Sequence, residues 1–240
     1  MCFNSMKQAR FYCFSPLVMI ATFAIEVLGA VWMIVRYKQT SAARLIVGLL
    51  LLLAIFQLAE YMVCEGAFGI SSMDWARIGY VAISLLPALG MHLAMTIAHS
   101  VNRYVVGLGY VVALLFAAFF LLGGEHGVTN DVCMGNYVIF EMSRNVVYLY
   151  ALYYYGWLLA GMAYSFVAGR RLYGKQKKAL IGLSIGYFSF IFPTTLVNVL
   201  EPATLAAIPS IMCGFAVMLA IILVVWVAPA VCIPRRFGNR

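Results

Sequence analysis

In this chain of 240 residues, 65% are hydrophobic and only 10% are charged, with a mean hydropathy of +0.98. A soluble domain carries about 25% charged residues, so a water-exposed surface over most of the chain is excluded, as is any added soluble domain of ordinary size. The net charge of +8 sits in short loops beside apolar runs, where it serves topology; no nucleic-acid partner is expected.

A helix crossing a bilayer needs ~20 largely apolar residues. Seven runs meet that length: 16–35, 45–64, 78–98, 104–122, 146–168, 179–200 and 206–227. The expectation is an all-α, polytopic seven-helix membrane bundle over 16–228, preceded by an N-terminal segment, 1–15, and followed by a basic tail, 229–240. The first run is longer than a signal-peptide core and is followed by no small-x-small cleavage site, so it is expected to be retained. A longer polar loop, 123–144, separates the fourth and fifth runs.

Alternate connections differ in charge. One side holds Arg36, Lys38, Arg44, Arg103, Arg170, Arg171, Lys175, Lys177, Lys178, Arg235, Arg236 and Arg240; the other holds Lys7, Arg10, Arg77 and Arg144. Twelve against four predicts a cytoplasmic C-terminus and, with seven spans, an N-terminus outside. An integral protein of a bacterial inner (plasma) membrane, surrounded by membrane lipids, is expected.

Cys2, Cys13, Cys64 and Cys133 fall on or near the predicted outer side. In an oxidising compartment, a bridge from Cys133 to Cys13 or to Cys64 would tie down the long loop; the residues alone do not choose between them. Free small side chains are the other expectation. No Cys-x-x-Cys or spaced His pair suggests a metal, and no cofactor is indicated.

Polar side chains within apolar runs are costly and therefore candidates for function. Glu26 lies in the middle of the first run, where a helix-packing hydrogen bond is expected, and His92 lies in the third. In the second run Gln57, Glu60 and Cys64 recur at i, i+3 and i+7, which puts them on one face. Asn198 and Glu201 reach the same level from the sixth run, so these groups are expected to form a polar patch near the outer surface. The fifth run opens with Tyr148, Tyr150, Tyr153, Tyr154, Tyr155 and Trp157; interface anchoring is the simpler expectation, with rings such as Tyr153 and Trp157 as candidates for lining a ligand cavity. Gly182 and Gly186 form a Gly-x-x-x-Gly, a sign of close helix packing.

Several seven-helix chemistries lack their residues here. The last run contains no lysine for a retinal Schiff base, the three histidines are unsuitably spaced for an intramembrane zinc hydrolase, and no serine–histidine pattern of a rhomboid-type protease is present. No catalytic residue is assigned.

The stretch Trp75-Ala-Arg-Ile-Gly-Tyr-Val-Ala-Ile-Ser-Leu-Leu-Pro87, together with Pro209 leading into the last run, resembles the seven-helix sensor region at the N-terminus of some bacterial histidine kinases. That resemblance covers most of 16–228 and includes no kinase domain. Met1-Cys2-Phe3, Cys13-Phe14-Ser15-Pro16 and Phe56-Gln57-Leu58-Ala59-Glu60 resemble a second group, small bacterial seven-helix proteins that open Met-Cys-Phe-Ser and carry a Gln-x-x-Glu element. Neither resemblance implies a reaction. The expected function is a non-enzymatic sensory or receptor-like module that binds a small or lipid-like ligand and acts through a membrane-protein partner. Alternatives are an accessory or assembly subunit of a larger membrane complex and, third, a transporter or intramembrane enzyme.

Overall fold

The computed structural model describes residues 16–66, 69–124, 127–134, 137–142, 144–200 and 208–235. Its helices in chain order are α1 (Pro16–Arg36), α2 (Ser41–Glu65), α3 (Ser72–Ile97), α4 (Arg103–Leu122), α5 (Arg144–Arg171), α6 (Gly174–Leu200) and α7 (Ile208–Ile222). The last continues through a π-helical turn, Leu223–Val227, into the short α8, Ala228–Val231. Seven helices among the described residues are long and apolar enough to cross a membrane. A helix covers each of the seven expected runs within the described residues, with ends displaced by up to six residues, the largest at the start of α3; residues 206 and 207 of the last run lie outside the described residues.

Local chemistry explains several of those ends. The Thr40 side chain accepts a hydrogen bond from the Ala43 amide, and Ser71 and Asn102 cap α3 and α4 in the same way. Each offers an oxygen to amides that the first helical turn leaves unpaired. Gly66 ends α2 at φ +62°, a left-handed conformation that glycine adopts without steric cost. The widened turn in the last span falls where Pro229 has no N–H to donate and its ring crowds the preceding turn, a common cause of such bulges.

The 123–144 connection contains more order than a polar loop. Strand β1 (Val128–Met134) pairs antiparallel with β2 (Tyr137–Met142), in a register that sets Met134 opposite Tyr137 and Val128 opposite Met142. This hairpin packs over α2, α3 and α7 at one end of the bundle. We call that end the hairpin end and the opposite one, which carries the α1–α2 loop and the C-terminal tail, the basic end.

Helix α3 is the most buried span and packs against α2, α4, α5 and α6. Helix α1 lies against α2 and α7, while α4 is held mainly by α3 and barely touches α5. Helices in lipid gain little from apolar burial alone, so close backbone approach matters more. The Gly182–Gly186 pair serves that purpose: a Cβ added at Gly182 would meet the Trp226 ring at 3.0 Å, and one at Gly186 would meet Leu219 at 2.6 Å. The motif is thus an α6–α7 contact within the chain. At the basic end, the tail clasps the first loop. The Lys38 amide donates to the Ile233 carbonyl at 2.8 Å, and the Arg235 amide donates to the Arg36 carbonyl at 2.9 Å.

Candidate functional site

Helix α1 buries one face: Met19, Thr22, Glu26, Ala30 and Met33 follow at helical spacing and are all enclosed. That face meets α2 where Gln57 and Glu60 point inward, with 2% and 1% exposure. The start of α7 completes the junction with Ser210, whose hydroxyl is hydrogen-bonded to the Glu60 side chain. Glu26 and Glu60 lie within electrostatic reach of one another, and Tyr80 of α3 and Cys213 of α7 lie within reach of Glu60.

Polar satisfaction is incomplete at this junction. Both carboxyl oxygens of Glu26, Oε1 of Glu60 and Nε2 of Gln57 are buried without a hydrogen-bond partner among the described residues. Among the described residues, the helix-packing hydrogen bond expected of Glu26 is not found. The ion pair found among the described residues is Arg77–Asp74, at the start of α3 and 2.9 Å long, so neither glutamate is paired with a cationic side chain there. Burying such groups without partners costs several kcal/mol as an order of magnitude.

Thr22, Gln57, Glu60 and Ser210 line a small cavity, closed on its apolar sides by Val18, Met19 and Gly214, with about 10 Å³ open to water centres. That is room for roughly one water-sized guest. A second small cavity, about 20 Å³ by the same measure, is lined chiefly by apolar groups from α2, α3, α5, α6 and α7. Neither admits an organic molecule without movement.

The expected site residues thus divide into several groups. Gln57 and Glu60 do share an inward face, but α1 and α7 line their cavity and α6 does not. Asn198 is buried near the end of α6, and Glu201 lies outside the described residues. Sequence reasoning overlooked Thr22 and Ser210. The available signal was modest: a hydroxyl one turn before Glu26, and another directly after Pro209.

His92 is accounted for locally. Its Nδ1 lies 3.1 Å from the Tyr110 hydroxyl, a link between α3 and α4. The tyrosines of α5 need a correction. Tyr148 is exposed, as an anchor would be, but Tyr150, Tyr153 and Tyr154 are buried. They pack with Tyr80, Phe116 and Phe120 in one aromatic cluster between α3, α4 and α5. Two of the hydroxyls are served by Ser84: Tyr153 donates to its carbonyl at 2.7 Å, and the Tyr150 hydroxyl lies 3.2 Å from its hydroxyl. Tyr153 and Trp157 also border an open apolar groove between α4 and α5.

Cys64 is disulfide-bonded. The other cysteines considered for this bridge, Cys13 and the side chain of Cys133, lie outside the described residues. Cys213 and Cys232 are free. Burial pushes the Cys232 thiol, just beyond the last span, up to about 11, so it stays protonated at neutral pH and is a poor nucleophile or metal ligand. Among the described residues no three His, Cys, Asp or Glu side chains converge as a metal site. Comparison with protein-family models and with curated proteins finds no match for this chain.

Proposed function

We propose that this chain is a non-enzymatic, receptor-like membrane module that binds a small ligand among α1, α2 and α7 and passes its occupancy to a partner protein. The observation that carries this reading is the set of enclosed polar atoms without hydrogen-bond partners among the described residues on Glu26, Gln57 and Glu60; Gln57 and Glu60 line a cavity, and Glu26 lies within electrostatic reach of Glu60. The cavity's small volume favours a ligand far smaller than a lipid. The same three helices lead to the opposite end, where the α1–α2 loop and the tail are hydrogen-bonded together. A shift of α7 against α1 and α2 would be felt at that clasp. The clasp also lies among Arg36, Lys38 and Arg235, a surface suited to an acidic partner.

In this reading the hairpin end faces outward and the basic end faces the cytoplasm of a bacterial cell, in keeping with the distribution of lysine and arginine. A cysteine placed at Gly127 is then labelled by an impermeant reagent in intact cells, and one placed at Gly174 is not; the reverse pattern overturns the orientation.

Hydrogen exchange tests the function itself. Glu60→Gln, purified in lipid nanodiscs, changes amide exchange over 37–40 and 233–235, whereas a Phe192→Leu control on the exposed face of α6 does not. Unaltered exchange at the clasp in Glu60→Gln overturns the coupling on which this reading depends.

A further inference from the structure

We infer that the α1–α2–α7 cavity is a binding site for one dehydrated monovalent cation of sodium size, held by Glu60, Gln57, Ser210 and Thr22, with Glu26 completing its charge environment. This rests on the receptor-like reading above and names its ligand class. Three observations lead to it. The cavity has the volume of a single water-sized guest, which excludes organic ligands and matches an ion stripped of its hydration shell. Its polar lining is rich in oxygen: the Glu60 carboxyl, two hydroxyls and the carbonyl end of the Gln57 carboxamide. The third observation is independent of the acidic pair: the Gln57 amide, 2% exposed and lining the cavity, has its Nε2 without a partner among the described residues. Rotating that amide by half a turn leaves the side-chain volume unchanged and exchanges the positions of its nitrogen and its carbonyl oxygen. The two orientations are nearly indistinguishable in shape.

Charge selects among cations. Two carboxyl groups in low dielectric repel one another when both are ionised. Here one stays neutral while the other is balanced by a single positive charge. A divalent ion would need both ionised and about six to eight oxygen ligands, more than the four lining side chains supply. Softer transition metals would need histidine or thiolate ligands, and no three such groups converge among the described residues. The Thr22 hydroxyl donates its proton to the Met19 carbonyl at 2.9 Å, which leaves its oxygen lone pairs for coordination.

Purified protein in lipid nanodiscs tests this directly. Thermal unfolding is followed in sodium chloride, potassium chloride, calcium chloride and choline chloride at matched ionic strength, alongside binding of radioactive sodium. A site of this kind gives a saturable rise in the unfolding midpoint with sodium, because a ligand that binds only the folded state stabilises it by mass action. Potassium has a smaller effect and choline none. Glu60→Gln weakens sodium binding at least about tenfold, as expected when a coordinating charge leaves a buried site, and Gln57→Leu weakens it measurably. Both variants keep the elution profile of the parent. Equal midpoints in sodium and choline overturn the inference, as does sodium dependence that survives in Glu60→Gln, or a response to calcium alone. If sodium is silent while Glu60→Gln still alters exchange at the clasp, only the cation assignment falls. If both are silent, the receptor-like reading falls with it.

Discussion

Two junctions in this bundle bury polar groups in opposite ways. Between α3, α4 and α5, Tyr150 and Tyr153 lie among aromatic rings, and each hydroxyl has a hydrogen-bonding partner on Ser84. Between α1, α2 and α7, Glu26, Gln57 and Glu60 are at least as deeply enclosed, yet four of their polar atoms have no partner among the described residues. The first arrangement is what packing requires when a tyrosine replaces a phenylalanine: the extra oxygen must be served. The second is unfavourable as packing, and under the proposed function a bound guest would supply the missing interactions.

The comparison predicts a gradient of mutational cost. Phe120→Ala should have the largest effect, because Phe120 is fully buried, stacked on Tyr80 with ring centroids 4.6 Å apart and set edge-on to Tyr150. Truncation leaves a cavity at the centre of the aromatic junction and should cost about 3 kcal/mol, read as a lowered unfolding midpoint in nanodiscs. A loss below about 1 kcal/mol would show that the aromatic junction is not a structural core.

Tyr153→Phe sharpens the same point at smaller scale. It deletes a single hydroxyl and its 2.7 Å hydrogen bond to the Ser84 carbonyl while keeping the ring stacked on Phe116. The expected loss is about 1 kcal/mol, with no change in exchange at the basic-end clasp. A change at the clasp would make the aromatic junction part of the signalling path and would erase the distinction between the two sites.

Residues legible in the sequence were those whose surroundings are set by the solvent. Seven apolar runs were read as helices of spanning length, because a helix satisfies its own backbone where no water can, and seven helices of that length and apolarity are present among the described residues. Gln57 and Glu60 had to turn inward, since three residues along a helix return to nearly the same face and lipid would penalise both. What turned inward with them was not legible. Helix periodicity says which face is buried, not which helix lies against it, so α6 with Asn198 was as reasonable a neighbour as α1 with Glu26 and Thr22. The tyrosines of α5 were misjudged for a related reason: amphipathic rings suit both an interface and a core with a serine in reach, and only the position of α3 separates the two. The hairpin was legible and overlooked. Val132-Cys133-Met134 and Tyr137-Val138-Ile139-Phe140 flank Gly135-Asn136, two strand-forming runs separated by a two-residue turn signal, hidden by the expectation of a plain polar loop between spans.

Glu26→Met should have the smallest effect on stability, and that makes it the strictest test of the contrast. Its side chain is fully enclosed, so by size alone truncation-free replacement within the core ought to be felt. Methionine, however, is close to glutamate in length, is flexible enough to fit an irregular space and has no carboxyl to desolvate. Both Glu26 oxygens are without hydrogen-bond partners among the described residues, so no bond there is lost in the exchange. Replacing buried ionisable groups with apolar ones of similar volume is often neutral or stabilising. The unfolding midpoint of Glu26→Met in choline chloride should therefore equal or exceed that of the parent, while its increase on adding sodium should shrink. A fall of more than about 1 kcal/mol in choline would mean that Glu26 is held by interactions of its own. The α1–α2–α7 junction would then be a second piece of architecture, like the aromatic one.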